Sequence, residues 1–173
     1  MNYLKDKNVY LAGPIAAVDD DGTGWRDYVT PHLIKDFELY VEDPCKKTAS
    51  GQGEVADDKT FFKKLISEGH FDVAREKFWP IVRKDLRCVD KADFLIVYYD
   101  PNVHMFGTIH EIVLAHQQKK PILVKYEKEH LDKFNIWLCT LAKPKWLFDD
   151  WDKMFKYLEL IKSGTIDTEY WTL

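Results

Sequence analysis

Short, nearly unbroken apolar runs alternate along the chain with longer stretches in which apolar residues recur at helical spacing. The clearest run is Phe94-Leu-Ile-Val-Tyr-Tyr99; 8–12, 38–42 and 121–126 are similar. Runs of roughly four to eight residues closed by turn-formers predict strands, and strands apolar throughout are buried on both faces. Gly13-Pro14 closes the first and Asp43-Pro44 the second. Trp25, Tyr28, Val29, Leu33 and Ile34 predict a helix over 24–35, with Pro31 expected to kink or shorten it. Further helices are predicted over 59–68, 71–89, 107–118 and 149–162, the last stopped by Gly164, and a short strand over 145–148. The segment 127–144 fits either type. Residues 45–58 are polar and contain glycine, which predicts a long loop of the kind that is functional or mobile.

Strand–helix–strand–helices–strand–helix–strand, with a further strand and helix behind it, implies an α/β fold: a parallel sheet with helices on both faces. The 173 residues fit one domain over 1–173, with a loop and helical excursion at about 43–80. Ligands in such sheets bind beyond the carboxyl ends of the strands, near the switch in strand order. The turn after Ala12, the loop after Val41 and the loop between Tyr99 and Gly107 are therefore where chemistry is expected.

Charge narrows the partners. With 25 Lys+Arg against 29 Asp+Glu the net charge is −4, which argues against a nucleic-acid polymer, whose binding needs a basic surface. The six-residue run at Phe94 is far short of the ~20 apolar residues that span a bilayer, so no membrane is expected. No basic-then-apolar leader opens the chain. The three widely spaced cysteines, Cys45, Cys88 and Cys139, form no disulfide framework or zinc pattern. A reducing cytoplasm is the expected setting.

Several motifs fail on inspection. Gly51-Gln-Gly53 lacks the ending of a P-loop, and Gly13 stands alone where a dinucleotide fingerprint needs three glycines. His104, His110 and His116 are six apart, which on a helix turns each about 240° from the last and suits no shared metal. Gly107-Thr-Ile-His-Glu111 remains. Thr108 is a good helix cap, and Glu111 three residues on has capping-box spacing, so a structural role is open. A carboxylate at the carboxyl edge of the sheet also suits a nucleophile. Asp85, Asp90 and Asp93 read as ordinary helix or turn carboxylates, and Tyr10 as core. Phe61, Phe62, Phe71, Phe78 and Trp79 are expected to be core, with a stacking wall for a planar ligand as the alternative.

Three stretches, in order, resemble the nucleoside 2-deoxyribosyltransferase family. Tyr10-Leu-Ala-Gly-Pro-Ile15 is similar to its opening motif. Asp85 precedes Asp90-Lys-Ala-Asp93 and the strand as in that family. Gly107-Thr108-x-x-Glu111-Ile112 is followed by Ala115 and Lys120-Pro121-Ile122. The resemblance covers about residues 8–15 and 81–125. It implies a flavodoxin-like three-layer fold with about five parallel strands. It also implies an enzyme that opens the N-glycosidic bond of a (2′-deoxy)nucleoside and passes the deoxyribosyl group to another base. Glu111 would attack the anomeric carbon, Asp85 would protonate or orient the departing base, and Tyr10 would hydrogen-bond the Glu111 carboxylate. Gly13, Pro14 and Ile15 would shape the pocket wall, and Gly107 and Thr108 would present Glu111. No cofactor or metal is implied. The implied partners are a nucleoside or nucleotide, a free nucleobase and further copies of the chain in a homo-oligomer, since sites in the family are often completed by a neighbouring subunit.

The chemistry suits these residue types. Breaking the bond builds positive charge on the sugar; an ionised carboxylate can trap it, and a proton donor improves the leaving base. The pairing parallels that of retaining glycosidases, with nitrogen as the leaving atom. Where some members of the family carry an acid that reads the base, six positions before the nucleophile, this chain has Met105; Asp100 is the nearest upstream acid and the expected substitute. A related group hydrolyses nucleoside 5′-monophosphates and needs a phosphate cradle, for which Arg26, Lys46, Lys47 and Arg75 are available. Such a hydrolase, and a nucleotide-binding module without turnover, are the alternatives.

Overall fold

The computed structural model describes residues 1–15, 18–46, 56–166 and 171, and of 56–59 the backbone only. Five parallel strands form one sheet in the order β2-β1-β3-β4-β5. They are β1 (Asn8–Ala12), β2 (Tyr40–Glu42), β3 (Phe94–Tyr99), β4 (Ile122–Tyr126) and β5 (Leu147–Phe148). This is the flavodoxin-like order, in which the chain first builds outward from β1 to β2 and then crosses to β3 on the other side.

Alternate residues of each strand serve different layers. Val9, Leu11, Phe94, Ile96 and Leu123 face α1 (Thr23–Lys35) and α6 (Trp151–Ser163), which contribute Val29, Leu33, Met154, Leu158 and Ile161. Tyr10, Ala12, Leu95, Val97, Ile122 and Val124 face the other layer. That layer holds α3 (Phe71–Lys91), α4 (Phe106–Gln117) and α5 (Ile136–Leu141), through Val89, Ile112, Ala115 and Leu138. Both sides of the sheet are dry, which is why the strands read as continuous apolar runs.

Differences from the sequence expectation are local. Pro31 sits inside α1, which continues to Lys35. Of the polar stretch 45–58, residues 47–55 lie outside the described residues, and α2 (Ala56–Ser67) already begins at its end. The ambiguous segment is a 3-10 turn at Lys128–Lys133 followed by α5, whose cap is Asn135. Asp150 caps α6 and Gly164 ends it at φ 70°. Trp171 returns to the core against Phe94, centroids 4.8 Å apart. The aromatics of α2 and α3 are not in the sheet's core: Phe61, Phe71 and Trp79 are exposed, and Phe62 and Phe78 are half-buried, edge to face with centroids 4.9 Å apart. No helix of the described residues is long and apolar enough to cross a membrane.

Candidate active site

The β1–β3 neighbourhood is the switch point, where the connections leave the sheet in opposite directions and open a crevice between them. A cavity of about 390 Å³ lies there, within the usual range for small-molecule sites. Gly13, Pro14 and Ile15 from the exit of β1 and Pro44 from the exit of β2 form one wall. Phe78, Val82, Asp85 and Leu86 of α3 form another, and residues 104–108, His110 and Glu111, leading into and along α4, form the third.

Glu111 is not a capping residue. α4 begins at Phe106, its N-cap is Met105 with no side-chain cap bond, and Thr108 is the third helical residue, buried toward the sheet. The helix therefore starts before the expected cap, and Glu111, its sixth residue, lies beyond the reach of a capping box. The macrodipole also fades within the first turn, so it adds little at this position. Its partner comes from the sheet instead. The Tyr10 hydroxyl donates to Glu111 Oε1 at 2.7 Å, a well-formed O–H···O bond.

Tyr10 is 1% exposed. Burial first, and then the negative charges of Glu111 and Asp85, push its phenol well above the ordinary range, so it stays a proton donor to Glu111. Neutral Tyr10 thus stabilises the fold fully below its ordinary value of 10.0. That contribution is lost as pH rises above it and through the raised folded value. Tyr10→Phe removes one hydrogen bond to a charged group, roughly 1.5–3 kcal/mol. Turnover should fall about 10- to 100-fold, and the steep loss of thermal stability above pH 10.0 should flatten; steady-state assays and melting curves read the two effects.

Asp85 interrupts an apolar stripe. Phe78, Val82 and Leu86 recur at the i, i+4, i+8 spacing of one helix face, with Asp85 beside them, and all four line the cavity. Its negative charge also reaches Cys88, whose thiol is pushed up to about 11 by burial first, then by Glu42 and by Asp85. The floor of the crevice is thus an electronegative region.

The remaining expected residues divide. Gly107 lines the cavity, and a side chain there would meet open space; Gly13 lines it too, but a Cβ would come within 2.8 Å of the Trp25 ring. Asp100 is not among the lining residues: its carboxylate folds back to accept from the Asn102 backbone N–H at 2.9 Å, while Met105 takes a place in the wall. Arg26 is 0% exposed and donates to backbone carbonyls of the two turns beside it. Lys46 and Arg75 are exposed, and Lys47 lies outside the described residues. Sequence reasoning treated His104 and His110 only as metal candidates and missed them as lining residues, along with Pro44 and Phe106. The stripe of α3 carried a readable signal, a single carboxylate in an apolar face.

The fold and crevice define a flavodoxin-like α/β protein with two carboxylates at its switch point. Solved structures of this fold include a 2-deoxyribosyltransferase from Bacillus psychrosaccharolyticus (15% identity, 87% of this chain and 95% of that one, TM-score 0.54). A conserved protein from Enterococcus faecalis V583 is similar at 17% identity over 92% of this chain and 99% of that one, TM-score 0.55. The CMP N-glycosidase BcmB of Clostridium botulinum overlaps 89% of this chain and 100% of that one at 12% identity, TM-score 0.49. No family model and no curated protein matches the sequence. At these identities the likeness is one of fold.

Proposed function

We propose that this protein cleaves the N-glycosidic bond of a (2′-deoxy)nucleoside through Glu111 and transfers the deoxyribosyl group to a second base. The observation that carries this reading is the 2.7 Å bond from buried Tyr10 to Glu111, which aligns a carboxylate on a cavity that also holds Asp85. The 2-deoxyribosyltransferase among the fold's solved structures supports it.

In the proposed reaction a Glu111 oxygen forms a bond to the anomeric carbon as the carbon–nitrogen bond breaks. The bonding pair leaves with the base, and Asp85, on the facing helix, orients it as the carboxylate or, in its protonated form, gives it the proton that the incoming base later returns. A second base then attacks the same carbon, displaces the carboxylate and loses its proton. Tyr10 engages one Glu111 oxygen and so fixes the direction in which the carboxylate meets the sugar. The apolar stripe of Phe78, Val82 and Leu86 suits the faces of a planar base.

The substrate is read as an uncharged nucleoside rather than a 5′-monophosphate. Among the described lining residues there is no Lys or Arg, whereas Asp85 and Glu111 are both acidic. A phosphate there would face two acidic groups and no counter-charge from a described lining residue. The test is incubation of deoxynucleosides and their 5′-monophosphates with and without a second free base, followed by chromatography. A new nucleoside that forms only with the second base supports transfer. Free sugar without it means that water is the acceptor, and preferred cleavage of monophosphates overturns the substrate reading.

A further inference from the structure

Arg26 is the one fully buried cation among the described residues, and nothing in the proposed reaction uses it. Its guanidinium donates to the Gly22 carbonyl at 2.6 Å, to Gly13 at 3.1 Å, to Leu11 at 3.4 Å and to Pro14 at 3.5 Å. Three of these four acceptors lie at the exit of β1, and Gly13 and Pro14 line the cavity. Arg26 Nε also faces Asp43 Oδ1 at 3.5 Å, and that carboxylate side chain is only 3% exposed. Asp43 directly precedes Pro44, the cavity residue at the exit of β2.

The geometry points to a clamp. We propose that Arg26 is a positioning residue: paired with Asp43, it locks the exits of β1 and β2 into a single cavity wall and so sets the fit of the nucleoside against α3 and α4. The inference rests on the nucleoside reading for its kinetic consequence, but the clamp itself does not. A planar, five-donor group is suited to this work, because one side chain holds a row of carbonyls in fixed directions while its charge attracts the carboxylate that Nε faces without a hydrogen bond. The surroundings close the arrangement. Arg26 stacks on Trp25 at 4.5 Å, and the Trp25 ring fills the space that a Cβ on Gly13 would need. Asp43 Oδ1 also accepts from the Cys45 N–H at 2.9 Å, and the Cys45 thiol reaches the Asp21 carbonyl at 3.4 Å. Both exits are thus tied to the turn that opens α1.

Asp43→Asn isolates the clamp, since asparagine keeps an acceptor for the Cys45 N–H and loses only the charge that faces Arg26. Arg26→Lys keeps the charge and loses the fork. KM for the nucleoside should rise about tenfold or more in each, with kcat changed less than about threefold, because Glu111 and Asp85 stand on α4 and α3 and Tyr10, though on β1, is held by strand pairing with Leu95 rather than at the exit. The two changes together should raise KM no more than the larger single one, as partners in one interaction do. Hydrogen exchange reads the clamp without turnover: in Asp43→Asn the Gly13 and Ile15 amides should exchange about tenfold faster, along with Cys45 and Lys46. Exchange that changes only at 45–46, wild-type KM in folded variants, additive effects in the double variant, or a fall in kcat alone overturns the clamp. If the unaltered protein releases no base, the proposed function fails while the exchange result still decides this point.

Discussion

Glu111→Ala should abolish base release, with a loss on the order of 10⁴-fold or more, the scale seen when a covalent nucleophile is removed. The substitution also takes away the acceptor of the Tyr10 hydroxyl, which is buried and would be left with an unmade bond. Leaving a buried donor unsatisfied costs about 1–3 kcal/mol, so a drop in melting temperature should accompany the loss. Glu111→Gln separates the two effects. Its amide oxygen still accepts from Tyr10, so stability should stay close to that of the unaltered protein while turnover disappears. Acid quenching of the unaltered protein during turnover, followed by intact-mass measurement, should show a deoxyribosyl adduct that the glutamine variant lacks. Turnover retained in either variant refutes the nucleophile assignment. The structure already removes the main structural alternative, because the sixth residue of α4 is in no position to cap it.

Asp85→Asn should show the second largest effect, and the effect should depend on the base. A positioned general acid contributes about 10²–10⁴-fold, most where the leaving group is poor. Deoxynucleosides whose bases are weak leaving groups should therefore lose the most, and those with good leaving groups should be cleaved at rates closer to the original. A uniform, mild decrease across the series places Asp85 outside the reaction. An independent reading comes from Cys88. Burial, Glu42 and Asp85, in that order, hold its thiol at about 11, so removal of the Asp85 charge should lower it and speed alkylation of Cys88 at mildly alkaline pH. This second effect reports the local field and does not depend on turnover.

The order of elements was legible because both faces of the sheet are covered. Runs such as Phe94–Tyr99 need no alternation, and the helices between them carry a 3.6-residue period, so the parallel arrangement follows from the pattern; the strand order, which places the switch point between β1 and β3, does not. Boundaries were less legible where long-range contacts decide them. Thr108 has the right chemistry for a cap, worth about 1 kcal/mol locally, yet α4 starts two residues before it. There the chain is held by the Asp100 turn and by the Asp100 N–H against the Met105 sulfur at 3.4 Å. The aromatics of α2 and α3 misled for a related reason: an apolar side chain carries no mark of whether its helix lies on the sheet or beyond it.

Periodicity and turn chemistry within a few residues determined the parallel sheet and the helices on its two faces, while the flavodoxin-like order and the pairing of Tyr10, Asp85 and Glu111 were implied only by the motifs' resemblance to a family. Tertiary structure alone decided the rest. It brought Tyr10 to Glu111 across 101 positions, turned Asp100 away from the cavity and drew Arg26, a surface cation by composition, into the interior. Each depends on which strands pair and on where desolvated charge finds acceptors. A guanidinium stays buried here because the Gly22 carbonyl at the start of α1, the Gly13 carbonyl at the exit of β1 and Asp43 at the exit of β2 converge on it, and that convergence exists only once the sheet has formed.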